Sequence, residues 1–493
     1  MNEEMTFGEC LTELLRKKHI STADLTRRMN YRSKTSLTRL LRDEVRYASI
    51  EDFMGRLEPV SAWLMTGEEM QKLRDAMEVS RLGRPRYRMY KEMWRLVGEG
   101  DSACGEVLAE GFGATRARTL HEATQVWADA DRVELVILNS GCNGLFSEIE
   151  ELLHNRPDAD ISIRHYLTVQ ESPGDVAGQL SALMSVFHHP SYQGFYRNCK
   201  GSVPETGERI ESQVAAVRAQ MKNGDTVFQI ITMQSGNRCL IYESARDNEM
   251  MAFFRRMVET ICEGALPLKV QYPEQELLEG LIVICQRYLS CEQDRATFCL
   301  APNVCFELIP FEILYRVMFD SVMEGYSPDD QKILRLSEVH KARYSNVHAK
   351  KKPTVFVFSW SGLQEFARTG RTTDHVAGMR CFTPEERAAI LRDLAEKCRE
   401  NVYLGVYILK PEARVRGMTL TSYSGLGVYL LDAYTQYDVV NGHSEAFILM
   451  PGFAAALEEF FRDELIGKCT YSEAESIEML ASLADALDAG GAV

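Results

Sequence analysis

The sequence predicts a small α-helical head followed by a large α/β body. Three observations carry this. The first 65 residues place their apolar side chains at helical spacing, whereas beyond residue 100 short apolar runs alternate with amphipathic stretches. Charge divides along the same line. The 493-residue chain has 56 Lys and Arg against 71 Asp and Glu, a formal net charge of −15. Residues 16–46 nevertheless hold ten basic residues and three acids. A basic module on an acidic body is the footprint of a nucleic-acid-binding head joined to something else. With 45% hydrophobic and 26% charged residues, the composition excludes disordered, collagen-like and disulfide-scaffold classes. No apolar run approaches the ~18 residues of a membrane span, and the acidic start MNEEMTFGEC lacks a signal-peptide core. Thirteen cysteines without a CxxC pair fit reduced thiols in a cytoplasmic protein.

In the head, TFGECLTELLRKK sets Phe7, Leu11, Leu14 and Leu15 on one helical face and ends in a basic turn that suits the helix dipole. STADLTRRM follows, with Ser21 and Asp24 at the spacing of an N-cap and its reciprocal acid. Asn30 tolerates the left-handed backbone of a sharp turn. SKTSLTRLLRDE then buries Leu37, Leu40 and Leu41 and leaves Lys34, Thr35, Thr38 and Arg39 off that face. SIEDFMGRL supplies a fourth helix and VSAWL a short last one.

Two short helices joined by a tight turn, the second polar and basic outside, read as a helix-turn-helix. Residues 6–65 resemble the lambda-repressor-like (Xre/Cro) family in the order Phe7-Gly8, LxxLL, ST-A-D-L and SIEDFMGRL. Thr26 stands where that family prefers Ala, and Leu37 falls one residue late after Leu25. The resemblance implies that the helix from Lys34 enters a major groove, with Lys34, Thr35, Ser36, Thr38 and Arg39 facing bases. Arg39 is the leading base contact, since a guanidinium can grip guanine through two hydrogen bonds. Thr22, Arg27, Arg32 and Arg46 are expected on phosphates, which set affinity but not sequence. A plain helical bundle used for dimerisation or docking is the competing reading.

Residues 67–100 read as a helical, basic linker. Gly83-Arg84-Pro85 echoes the flat core of a minor-groove hook, with Arg84 and Arg86 as its cations, although a linker turn explains it more simply.

The body reads as α/β half one (residues 101–274), a mainly helical connector (275–350) and α/β half two (351–493). VELVILNSG, the helix through Phe146, Ile149 and Leu153, and DISIRHYLTV form a βαβ unit with a parallel pair. TVFQIITMQSGNRCLIYES and TQYDVVNGHSEAFILM each read as strand, turn, strand. PTVFVFSWSGLQEF is strand then helix, and NVYLGVYILK a strand. Ile241 precedes Phe253-Phe254-Arg255, and Ile448 precedes Phe460-Phe461-Arg462, at the same interval. That matched spacing suggests an internal duplication with pseudo-twofold packing.

In outline such a body resembles the phospholipase D superfamily, which needs an HxKxxxxD motif in each half. Here His443-Ser444-Glu445 meets Met450 at the Asp position, and the first-half turn Gly236-Asn237-Arg238 has no His. The literal His348-Ala349-Lys350 meets Val355. Phosphodiester chemistry is therefore not expected. No GxSxG, HExxH, P-loop or dinucleotide fingerprint is present. His188-His189 ahead of Pro190 reads as a surface turn. Ser140 and Asn143, in a Gly-rich turn between strand and helix, are candidates for anion binding, as are Arg371, Asp374 and His375 for ligand contact. Residues 362–387 are also similar to a stretch found in helix-turn-helix proteins of Gram-positive bacteria with large uncharacterised bodies. The combined expectation is a dimeric, sequence-specific regulator of transcription that binds double-stranded DNA. Its body would sense a small effector, with no cofactor, metal or membrane role. The alternatives are a nucleic-acid-targeted enzyme with a degenerate phospholipase-D-like body and a phage- or defence-related scaffold that binds a partner protein.

Overall fold

The computed structural model describes the chain outside residues 1–4, 29–33, 58–64, 92–126, 139–142, 157–159, 170–172, 199–212, 235–237, 245–251, 260–263, 272–276, 321–330, 374–378, 433–443 and 491–493, and outside a few single positions. It divides into two compact units, Met1–Glu92 and Met93–Val493.

The first unit contains α1 (Phe7–Lys17), α2 (Thr22–Arg28), α3 (Lys34–Leu41), α4 (Tyr47–Leu57) and α5 (Gly67–Leu82). Thr6 caps α1 and Glu9 reaches back to the Thr6 N–H at 2.8 Å, a reciprocal box that satisfies two orphan donors. The periodic apolar residues read from the sequence form one core: Phe7, Leu11, Leu14, Leu25, Leu37, Leu40, Phe53 and Leu57 are all buried. Phe7 meets Phe53 edge to face at 5.8 Å.

The linker expected from residue 67 is not one. α5 contributes Met70, Leu73 and Ala76 to the same core, and Lys18 on its way out of α1 pairs with Glu69 at 2.7 Å. Its charged outer face hid the buried stripe. The chain turns at Gly83 (φ 78°), as its glycine suggested, but Arg84 and Arg86 are helical rather than flat. Arg84 pairs with Glu9 at 2.5 Å, and Tyr90 is buried.

The second unit contains two seven-stranded sheets. In the first, β1 (Ala130–Leu138), β2 (Asp160–Val169) and β3 (Tyr192–Asn198) run parallel, joined by α6 (Asn143–Asn155) and α7 (Pro173–Phe187). β4 (Gln213–Met221), β5 (Thr226–Gln234) and β6 (Arg238–Ser244) then continue antiparallel from β1, giving the order β6-β5-β4-β1-β2-β3-β7, with β7 at Leu266–Pro267. Every side chain of β1 from Leu135 to Leu138 is buried, as a strand covered on both faces requires.

The second sheet repeats that order. β9 (Thr297–Ala301), β10 (Thr354–Ser359) and β11 (Leu404–Leu409) are parallel, and β12 (Met418–Tyr423), β13 (Gly427–Asp432) and β14 (Ser444–Ile448) run antiparallel outward from β9. β8 (Lys269–Gln271) flanks β14. Its helices are α8 (Leu277–Glu292), α9 (Phe311–Phe319), α10 (Gln331–Ala349), α11 (Trp360–Thr369), α12 (Pro384–Glu400), α13 (Pro451–Phe460) and α14 (Glu473–Asp488). The strand order is duplicated, and β6 and β14, which carry Ile241 and Ile448, occupy the same place in their sheets. Beyond them Arg255 pairs with Glu134 on β1, and Arg462 stacks 4.9 Å over Phe298 on β9. Both arginines fold back on the central strand of their own sheet.

Two expectations change. The connector is not merely helical, because it supplies β9, all five of whose residues are buried at the centre of the second sheet. Five residues inside a helix-rich segment are too few for a periodicity signal. The packing also departs from a pseudo-twofold. Residues 266–271 pair with β3 through β7 and with β14 through β8, with Leu268 wholly buried between them. The Tyr196 hydroxyl accepts the Leu449 N–H at 3.0 Å across the same junction. A twofold contact would also join β6 to β11. Among the described residues it does not, and the β11 edge is bridged instead by Thr470. The halves meet head to tail.

Candidate nucleic-acid interface

Ser21 stands just ahead of α2, its hydroxyl 3.1 Å from the Asp24 N–H and 2.5 Å from the Asp24 carboxylate. Thr26, the departure from the family's Ala, fits because its hydroxyl donates to the Thr22 carbonyl at 2.7 Å. Thr22 is half-buried, while the Arg27 side chain is 80% exposed and 3.6 Å from Asp24. α3 buries Leu37 and Leu40 completely and turns Thr35 and Arg39 outward, with Ser36 and Thr38 half-buried on its flanks. Lys34 opens the helix. Arg32 and Arg46, expected on phosphates, lie outside the described residues, as does the turn whose length sets the register.

The far end of α3 is locked by the first helix. Asp43 adopts a left-handed backbone (φ 54°) and accepts the Gly8 N–H at 3.0 Å and the Thr6 hydroxyl at 2.5 Å. A Cβ on Gly8 would meet the Leu41 carbonyl oxygen at 2.7 Å and that of Leu40 at 2.8 Å. Glycine at this position lets two helix ends touch, which is the physical content of the Phe7-Gly8 signature. The Arg39 guanidinium donates to the Glu44 carbonyl at 3.2 Å, so in this state it lies toward the C-terminal end of α3. The exposed surface of α2 and α3 thus offers cations and hydroxyls, groups that pair with phosphates and base edges.

Of the body's candidate residues, Arg371 alone has a described side chain. Ser140, Asp374 and His375 lie outside the described residues, and Asn143 is placed only as the first residue of α6. Arg371 is exposed, and its carbonyl accepts from the Asn303 amide at 3.3 Å, just after β9. Thr373 donates to the Asn303 carbonyl at 3.0 Å, while the buried Thr372 hydroxyl has no partner among the described residues. The conspicuous residues of the 362–387 stretch serve packing. A Cβ on Gly362 would meet the Pro302 oxygen at 2.1 Å, and one on Gly370 the Phe382 oxygen at 2.2 Å. Thr383 and Glu386 form the cap of α12, and Glu386 also holds Arg380 at 2.8 Å.

The HxK triplet does structural duty. Lys350 donates to the Thr297 hydroxyl at 3.0 Å, fixing the start of β9, and burial pulls its ammonium down to about 8. His348 sits 4.3 Å from the Tyr344 ring, its ring nitrogens without a partner among the described residues, and burial lowers it to about 4. His443 lies outside the described residues. Of the His188-His189 pair His189 is described, its ring nitrogen accepting the Ser191 N–H at 3.2 Å in the expected turn.

Sequence reasoning missed the most concentrated charge in the body. Arg343 on α10 is 4% exposed and donates to Glu292 at 2.7 Å and Glu307 at 3.1 Å, with Tyr288 4.6 Å beneath its guanidinium. These residues are scattered over 55 positions of sequence, so no motif marks them. The flanking carboxylates keep Arg343 well above the ordinary arginine range despite burial. Among the described residues no His, Cys, Asp or Glu group has the arrangement of a metal site.

No family model and no curated protein matches the chain. Among solved structures it is similar to a polyphosphate kinase from Porphyromonas gingivalis, at 9% identity and a TM-score of 0.23, over 76% of this chain. The match spans about half, 51%, of that enzyme's chain. It is also similar to a phosphatidylserine synthase from Haemophilus influenzae Rd KW20, at 9% identity and a TM-score of 0.27, covering 83% of this chain and all of that one.

Proposed function

We propose that the protein is a sequence-specific DNA-binding regulator in which residues 1–92 contact the duplex and the α/β body dimerises and senses an effector. The observation that carries this reading is α3: its two core leucines are wholly buried while Thr35 and Arg39 face outward, on the most basic segment of an acidic chain. Helices of this kind read a major groove from their exposed face, and Arg39 would exchange its bond to the Glu44 carbonyl for a guanine edge. Thr22 and Arg27, with Arg32 and Arg46, would supply phosphate contacts whose effect is uniform across sequences.

Enrichment of random duplexes by the purified protein should yield a near-palindromic site. Arg39→Ala should then weaken that site about 10- to 100-fold and relax one base pair, leaving random DNA little changed. Equal weakening on random DNA would make Arg39 a phosphate contact. No preferred site at all would sink the regulator reading.

A further inference from the structure

We propose that an open cavity of about 490 Å³ beside α14 binds the quaternary ammonium head of an organic cation. Its walls are Trp360, Tyr471, Glu475, Glu478, Met479, Ser482, Leu483 and Ala486. Trp360, Tyr471 and the Met479 thioether line it together with Glu475 and Glu478, and none of the eight lining residues is basic. Aromatic faces attract a cation through their quadrupole and do so best for large, weakly hydrated ammonium groups. Such a head has no N–H to donate, so it needs no geometrically fixed acceptor, only negative potential and apolar walls.

The walls are held before any ligand arrives. Trp360 starts α11 directly after β10, and Tyr471 is fixed by its N–H to the Ile408 carbonyl at 2.9 Å. α14 is tied to α12 by Arg392, which reaches Asp488 at 2.6 Å and Asp485 at 3.3 Å. Glu475 is held by the Ser472 hydroxyl and N–H, which lower its carboxyl, with Lys410 adding a weaker pull. Glu478, one helical turn along the same stripe, is exposed at the rim. Trp360, Tyr471 and Met479 rest on the core but stay partly open toward the cavity. Because its walls lie on α11, α14 and the segment leading into α14, all within the second unit, the site stands independently of any DNA contact.

The test uses the full-length protein and calorimetric titration with choline, its neutral isostere 3,3-dimethylbutan-1-ol, and a trimethyllysine peptide. A charged head should bind, and the isostere should bind at least about tenfold more weakly. Glu478→Lys, at an exposed position that leaves the fold intact, should abolish binding, and Trp360→Phe should weaken it less than Trp360→Ala. Tighter binding of the peptide than of choline assigns the occupant to a modified protein side chain, and the reverse to a free amine. Either supports the site. Equal binding of choline and the isostere, undiminished binding by Glu478→Lys, or no binding of either cation overturns the proposal.

Discussion

Gly8 shows how a single missing carbon can set the geometry of a whole helical unit. A methyl group there would press on the carbonyls of Leu40 and Leu41 and on the Asp43 carboxylate, all within 2.8 Å. Since two of those neighbours are backbone, relief requires the helices to part. Gly8→Ala is expected to destabilise the first unit by roughly 1–3 kcal/mol, read as a lower urea midpoint. A midpoint within error of the parent would show that α1 and α3 can separate freely. Histidines act at the same scale. Burial holds His165 and His340 at about 3, with the Tyr192 hydroxyl 3.0 Å from the first and Arg343 adding to the depression of the second. Both stay neutral in the fold, while the unfolded chain takes up protons as pH falls through 6.5. Their contribution is therefore whole above pH 6.5 and drains away as pH falls toward 3, by about 2 kcal/mol each at pH 5. Unfolding free energies at pH 7.5 and pH 5 test this. The double variant His165→Gln/His340→Gln should flatten the difference, and an unchanged slope would refute the assignment.

At the level of elements, α5 decides where the first unit ends. It covers α1 and buries Met70, Leu73 and Ala76, and Ser80 accepts the Phe7 N–H at 2.7 Å. A fragment ending at residue 66 would expose that core. A fragment of residues 1–92 is expected to unfold cooperatively, and one of residues 1–66 to lack a sharp transition, by circular dichroism against temperature. Equal melting of the two would return α5 to the status of a linker. Sequence periodicity revealed α1 to α4 because their apolar stripes stand against strongly polar faces, and it revealed β1, β5, β10 and β11 as apolar runs and β2 by the alternation of Ile161 and Ile163 with polar residues. It missed β4 and β12, whose Ala, Thr and Ser side chains are buried without looking apolar. Ser422, wholly buried, donates to the Ala454 carbonyl at 3.0 Å and so spends its polarity inside. The candidate interface was legible as charge and helix order. The clamp from Asp43 to Gly8 was not, since it joins a carboxylate to a backbone N–H 35 residues away.

For the whole molecule, the proposal that α3 reads DNA implies few base contacts per chain, and proteins that read DNA through one short helix double them across two half-sites about one turn apart. The full-length protein is accordingly expected to scatter light with a mass about twice the 55.9 kDa of one chain at micromolar concentration. A stable monomer both with and without DNA would leave the proposed regulator without its second half-site.

The junction at residues 266–271 has a further consequence for how such a body could lengthen or shorten. A pair closed about a twofold axis is finished: each surface has met its match, and a third member has nowhere to attach. Halves joined tail to head leave an unlike edge at either end, as successive turns of a solenoid do, so another copy could be spliced in without redrawing an existing contact. Here the run is stopped at the β11 side, where the chain bridges the edge through Thr470 and then, instead of offering another strand, winds into α14. Because α14 packs on α12 and β11 and adds no strand there, the β11 edge is the side on which this architecture could be lengthened.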